Sequence, residues 1–600
     1  MDQSEEKIVM TPLKREVGLN VLLLERVDVS QMDSNRVIHE AGGNHKGIVI
    51  NKQAANCVLT APQASLSFKV FMVNAATNSH TKESRHLKFW FKNVVAEEDR
   101  MQRAQTFFRS LVNPSEFPED YIRYIMKIMK LMQHQYKDIM TIEVEIKQLE
   151  QIEEPPSRPF SVDDNSLGVK KEVSIHKILE VIESCYPNAI SLSGIATATQ
   201  ASEEEAYFFV SELLSKNVIK AMDNNTFMRI TQNDTQVKLV KQMPKVVRSQ
   251  QPTIAIITAQ YAEKLAVDAM IDNKDTYVRY KTEGESNVYT LGNIGWHRVV
   301  STKLPAVGHS RGAMIAAGNT TTRLLGKLLQ VLIINNCNCC ALGSFQRVEY
   351  VFMVGVGGGV PHYTDYKKHV RLGDVVVSAP PPGTEKPYIY IHFEELKNSP
   401  EERTNGANGH ISSNSFSCRT WCPPNLELQE VSQRLWEQGS EEENNRIWEQ
   451  YIKDGLSELD DQEADFTRPA PESDKLYMSI GTKDLIEVGH PQPRDDEYNP
   501  RAHGMPMVHF GAIASGRVAV NDEQIRQDIA NKYEIKAFDT EFDAVAESVY
   551  GNRKERYAFI RGICDYKDGT RKKEWQPCAA LNAAAFMKAV IMNLSPMTEA

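Results

Sequence analysis

Apolar positions change their spacing twice along the chain, and each change marks a different kind of structure. In the first segment, "VGLNVLLLERVDV" and "ASLSFKVFMV" are apolar runs of strand type. "DYIRYIMKIMKLMQHQYKDIMTIEVEIKQLEQI" then sets Ile and Met at i, i+3 and i+4, which predicts a helix over 120–152. Its methionine stripe reads as packing rather than as a cofactor site. Residues 1–150 are therefore expected to form an α+β segment, to which the sequence attaches no function. Between 171 and 232 the pattern is compact. "VSIHKILEVIESCY" predicts an amphipathic helix and "SLSGIATAT" a short second one. "SEEEAYFFVSELLSKNVI" predicts a third, with Ser202 as N-cap and acids in the first turn. "IKAMDNNTFMRI" reads as two short strands around an Asp-Asn-Asn turn.

From Thr253 onward apolar runs alternate with helical stretches. "TIAIITA" leads into the helix "QYAEKLAVDAMID". "VEYVFMVGVGGGVP", "GDVVVSAP", "VHFGAIASG" and "YAFIRGICD" follow as short buried strands. Such alternation predicts a parallel or mixed sheet covered by helices on both faces, a three-layer α/β/α domain over 253–595. The stretches 151–170 and 233–252 read as linkers, and 397–417 as a flexible loop within the last domain. The segment "KLLQVLIINNCNCCALG" (327–343) is apolar and Cys-rich, unlike a surface loop, and reads as an insert: a retained intron, a gene-model error or an isoform-specific piece.

Composition narrows the field. Six hundred residues suggest about three or four domains, and a quarter of the residues are charged. A net charge of −10 disfavours broad nucleic-acid or membrane-surface binding. The first residues lack the basic and apolar regions of a signal peptide, and no apolar run reaches the roughly 18–20 residues of a membrane span. The expected address is the cytosol, with access to the nucleus. The nine cysteines include "CNCC" and "CRTWC" but no paired CxxC spacing. They read as free thiols, and neither a metal nor a cofactor is expected.

Two strand ends carry candidate chemistry. Gly355-Val356-Gly357-Gly358-Gly359 reads as a glycine-rich turn, but no helix starts at its third glycine and Pro361 follows, so the dinucleotide fingerprint fails. These glycines would instead let the backbone approach a ligand or another strand. "RGICD" ends a buried run on Asp565, where open α/β sheets place chemistry. On the residues alone, Asp565 either acts on a ligand, caps the next segment or pairs with Arg561. "GHSRGA" offers His309, Ser310 and Arg311 as hydrogen-bond donors to a ligand, or else a turn into the following helix.

Three helices and a hairpin over 171–232 resemble a winged-helix domain of the Storkhead-box type. The third helix opens Glu203-Glu204-Glu205, where a DNA reader needs Lys or Arg. Protein interaction or oligomerisation is preferred to DNA binding.

The strands above, with "MVHFGAIASGRV", "DTEFDAVAES" and "RYAFIRGICDYKDGTRKKEWQPCAALNAAAF", resemble the nucleoside phosphorylase/nucleosidase superfamily. That superfamily holds the methylthioadenosine/S-adenosylhomocysteine nucleosidases, and the likeness is greatest to the multidomain fungal and bacterial immune-type nucleosidases, some of which cleave ATP to adenine. It covers about 253–591. The resemblance implies hydrolysis of the bond between a purine and ribose. Asp565 matches the aspartate that protonates the leaving base at N7, and Glu263 the glutamate that positions the attacking water. Glu541, Phe542 and Asp543 match the acid, the apolar residue beneath the sugar and the acid on the ribose hydroxyls. Ser515, Gly516, Ala519 and Val520 match the segment flanking the base. Gly357 and Gly358 match the strand-end glycines near sugar and base.

Two departures bear on activity. Asp543 is one methylene shorter than the usual Glu. "TAQYAEK" lacks the Gly and Arg of the phosphate loop of the phosphorylases, so water is preferred to phosphate as nucleophile. The alternatives are an inactive nucleoside-binding scaffold, a phosphorylase and a winged-helix transcription regulator. The superfamily's habit of building sites beside subunit interfaces implies a homo-oligomer.

Overall fold

The computed structural model describes residues 6–28, 38–40, 49–51, 60–73, 80–113, 117, 121–149, 173–222, 224–230, 237–240, 246–247, 250–279, 288–305, 311–326, 345–395, 416–441, 445–480, 484–493, 499–516, 523–539, 542–566 and 572–596. Glu541, Ala519, Val520, His309, the linker 151–170 and the insert 327–343 lie outside the described residues.

Seven N-terminal strands make most of a nine-stranded sheet. Its helices Glu97–Leu111 and Tyr121–His134 bury Phe107, Phe108, Tyr124, Ile128 and Met132 in one core with Phe68, Leu87, Phe89 and Val144. Each large apolar side chain so withdrawn from water contributes about 1.5–3 kcal/mol. The helix expected over 120–152 stops at His134, and Ile139–Gln148 is a strand. There Ile142, Val144 and Ile146 alternate with Glu143, Glu145 and Lys147, a period of two in a β-branched run, and the sheet wins over helical spacing. The sheet's last two strands, Leu476–Ile480 and Asp484–Val488, come from the far half of the chain, and the second pairs with Ala64–Val73.

Helices Ile175–Cys185, Leu192–Thr199 and Glu203–Ser215 and strands Ile190–Ser191, Ile219–Met222 and Thr226–Arg229 form the small winged-helix unit. Ser174, Ser191 and Ser202 cap the three helices, and Ser202 forms a capping box with Glu205. The unit rests on the C-terminal domain. Arg229 donates to Glu183 and Glu463, Tyr186 meets Tyr261 edge-on at 5.2 Å, and the Lys303 ammonium donates to Ser184 O at 2.8 Å.

The C-terminal domain is mixed α/β with a twelve-stranded sheet. Val237–Val240, inside the stretch read as a linker, is a strand of this sheet and pairs in parallel with Asp272–Arg279. At the other end of the loop 397–417, Phe416 and Ser417 begin the strand Phe416–Trp421; residues 397–415 lie outside the described set. Tyr350–Gly359 and Arg556–Asp565 run in parallel, and Val375–Ser378 lies antiparallel to the latter. Val508–Ser515 pairs with Val375–Ser378, and Ile535–Asp539 pairs with both Val508–Ser515 and Tyr350–Gly359. Five strands thus close on themselves. The glycines at 355–359 are strand rather than turn, because this closure needs close backbones: a Cβ on Gly357 would lie 2.9 Å from Phe538 O. Helix Trp575–Met592 is buried along most of its length, which is why its sequence is apolar all round. It lies so near Arg556–Asp565 that a Cβ on Gly562 would come within 1.8 Å of Ala579 O.

Candidate functional site

Strand Ile254–Thr258 passes directly into helix Tyr261–Asp268, and Glu263 is the third residue of that helix. Its carboxylate turns back on the helix start. Oε2 accepts from the N–H groups of Ala259 (2.7 Å) and Gln260 (2.9 Å), and Oε1 from Val356 N–H (2.8 Å) on the neighbouring strand. Gly355 makes room for it, since a Cβ there would sit 2.5 Å from Oε1. Burial pushes the Glu263 pKa up; Arg561 and the three amides pull against it, and the net direction is upward.

Beside Glu263 lies Arg561, whose side chain is fully buried. The sequence left open a pair with Asp565. The structure instead pairs Arg561 with Asp539: Nε and Nη2 donate to Oδ2 at 3.2 and 3.0 Å. The guanidinium lies 4.1 Å from the centre of the Phe542 ring, and Tyr390 Oη donates to Asp539 Oδ1 at 2.6 Å. Burial and the Asp539 charge hold the Tyr390 phenol well above its ordinary value. Asp539 and Tyr390 escaped the sequence reading. The available signal was that "IKAFD" ends an apolar run on an aspartate, as "RGICD" does.

Asp565 ends its strand opposite Gly358, past a register shift in the ladder, and is half-buried. Ser515 ends Val508–Ser515 opposite Asp539, and Gly516 follows at φ 141° with no room for a Cβ against Phe393 O. Ser515 Oγ shares a 2.9 Å hydrogen bond with His392 Nδ1, and the same nitrogen lies 3.9 Å from Asp543 Oδ2. His392 was also missed. Asp543 opens helix Asp543–Gly551, where its charge also suits the helix dipole. Arg311 is exposed at the start of helix Arg311–Leu325, which packs on Asp543–Gly551 through Ser548 and Gly318.

The structure thus brings the predicted residues together in two groups: Glu263 with Val356 and Gly355, and Ser515 with Asp543 through His392. Arg561, Asp539 and Phe542 lie alongside. Gly357 and Gly358 are in the strand facing Asp565. Among the described residues no group of three or more His, Cys, Asp or Glu is placed to hold a metal ion, and no helix is long and apolar enough to cross a membrane.

Residues 164–231 match the family model of a winged helix-turn-helix domain. A nucleotide-binding leucine-rich repeat (NLR)-like protein of Hyaloscypha variabilis is 27% identical over 347 residues, 57% of this chain and 29% of that protein. The chain therefore spans under a third of that relative's length. Among solved structures, a 5'-methylthioadenosine/S-adenosylhomocysteine nucleosidase from Neisseria meningitidis, in complex with methylthio-immucillin-A, matches 57% of this chain and 100% of its own, at 15% identity and a TM-score of 0.31. Futalosine hydrolase of Helicobacter pylori matches 57% and 97%, at 12% identity and a TM-score of 0.30.

Proposed function

We propose that residues 253–595 hydrolyse the N-glycosidic bond of a purine nucleoside or nucleotide, adenine being the preferred base, while the winged-helix unit binds protein. The observation that carries the reading is Glu263: a buried carboxylate of raised pKa, held by three amides beside Arg561 and the glycine strand that ends opposite Asp565. In this reading water attacks the anomeric carbon as the carbon–nitrogen bond breaks. Glu263 takes the water's proton, and Asp565 gives one to N7 of the departing base. Positive charge grows on the sugar ring and is eased by the carboxylates around it. Incubation with adenosine, methylthioadenosine, AMP and ATP, followed by chromatography, is expected to show free adenine. No base from any of them would overturn the proposal, and release that requires added phosphate would convert it to phosphorolysis.

The raised Glu263 pKa sets a pH dependence. Glu263 must be ionised to accept a proton, so base release should rise with pH along a limb centred above the ordinary value of 4.5. Glu263→Gln should remove that limb and slow the reaction. A limb that persists unchanged in the variant would assign it to another group.

Asp543 is read as the acid on the ribose hydroxyls, with His392 linking it to Ser515. Asp543→Ala should raise KM and lower kcat together, since the acid holds the sugar in the ground state and holds it more tightly as positive charge develops in the transition state. Asp543→Glu should retain activity or exceed it, because the longer acid restores the missing methylene. Wild-type kinetics in Asp543→Ala would remove the residue from the site.

A further inference from the structure

A cavity of about 500 Å³ opens between helices Glu427–Glu441 and Ile447–Leu459 and the start of strand Val508–Ser515. It shares no residue with the site around Glu263 and Asp565. Its walls include Tyr366, Trp436, Trp448 and Phe510. Trp436 and Phe510 meet edge-on with centroids 5.9 Å apart, and Trp448 is braced from behind by Phe586 at 5.5 Å. The helix is cut back to let Trp448 lie there: a Cβ on Gly439 would come 2.4 Å from its ring. Aromatic rings lining a cavity of this size suit a planar guest.

Into the same cavity runs Lys536. Its stem lies across Gly511, where a Cβ would meet Lys536 Cγ at 2.4 Å. The residue is only partly exposed, and no hydrogen bond or ion pair of its ammonium is found among the described residues. The carboxylates of Glu534 and Asp365 act on it only from a distance, and Lys368 opposes them. Burial and Lys368 together push its pKa down. A cation partly withdrawn from water loses hydration, and an anion in the cavity would offset that loss. Lys367 and Arg446 also line the cavity, against one carboxylate, Glu449.

We propose that this cleft is a ligand site for a planar aromatic anion, whose ring stacks among Trp436, Trp448 and Phe510 and whose charged group meets Lys536. Along strand Ile535–Asp539, Lys536 stands three residues before Asp539, the partner of Arg561, so one strand carries both sites.

Isothermal titration of the full chain with naphthalene-1-sulfonate and with the neutral naphthalene-1-sulfonamide tests this directly. The sulfonate should bind about tenfold more tightly, as expected for one charge-assisted contact. Lys536→Gln should bring the two affinities level, Lys536→Arg should keep the preference, and Trp436→Ala should weaken both ligands. Failure of the sulfonate to bind, equal binding of the two by the unaltered protein, or an unchanged preference in Lys536→Gln would overturn the proposal. Because none of these residues touches the Glu263 site, loss of base-releasing activity would not alter the outcome.

Discussion

Asp565→Asn is expected to lower base release by at least roughly 10²-fold, the usual cost of losing a positioned acid. The substitution keeps the side chain's size and most of its hydrogen bonding but removes the proton that N7 must receive. The loss is felt as the carbon–nitrogen bond breaks, so kcat should carry it while KM changes little. That separates Asp565 from Asp543, whose removal should move both constants. It also separates catalysis from the cap reading: a strand-end cap would change stability and leave kcat alone. The strand end itself is well anchored. Ile563 N–H donates to Asp374 O at 2.8 Å, Gly373 N–H donates to Ile563 O at 2.7 Å, and the next residue, Tyr566, donates its hydroxyl to Asp474. Asparagine at 565 should therefore leave the fold intact. If base release is unchanged while nucleoside still binds, Asp565 is not the acid.

Much of the C-terminal architecture was legible because short buried strands and amphipathic helices obey local periodicity. "TIAIITA", "VEYVFMVGVGGG", "GDVVVSAP" and "YAFIRGICD" are all strands, and the winged-helix unit follows its caps and a hairpin with Asn224 and Asn225 at positive φ. What stayed hidden depends on partners distant in sequence. Nothing local in "LYMSI" announces that its hairpin will pair with a strand some four hundred residues earlier. The run 120–152 misled because Ile and Met fit a helical stripe at its start, whereas its second half alternates with a period of two. At the site, Asp565 and Glu263 stood out by resemblance, but Arg561 could be paired correctly only once Asp539 was brought to it by closure of the five strands. His392 is invisible for the same reason, since it reaches Asp543 only across the pairing of Tyr390–Glu395 with Val508–Ser515. Lone side chains that meet through strand order leave no spacing to read.

The largest expected effect on stability belongs to Asp374, whose backbone carbonyl also anchors the strand that ends on Asp565. Its carboxylate is buried and accepts from five donors: Arg501 Nε (3.1 Å) and Nη2, Met507 N–H (3.1 Å), Arg371 N–H (2.9 Å) and His509 Nε2 (3.0 Å). Burial alone would raise its pKa, but the Arg501 guanidinium and the hydrogen bonds of Arg501 and His509 outweigh that and hold it well below the ordinary 3.8. Asp374→Asn leaves the Arg501 guanidinium buried without its counter-charge, which costs about 3–5 kcal/mol. The chain has several folding units, so the loss is best read locally. Amide exchange at Val375 and Ile563 should accelerate on the order of 10²–10³-fold if the cost falls on their shared ladder. The sign of the pH dependence follows. The stabilisation from Asp374 is fully present above the ordinary aspartate range and is lost as pH falls through that range toward the lower folded value. The melting-temperature gap between wild type and variant should therefore be widest near neutrality and should narrow in acid. A separate decline, common to both proteins, should begin below about 6.5. There the unfolded chain protonates His362 and His369, whose folded values burial has lowered, that of His362 to about 3. A gap that stays constant from neutral to acid pH would mean that the Asp374 carboxylate is not what holds Arg501, and that the turn 371–374 owes its place to backbone contacts alone.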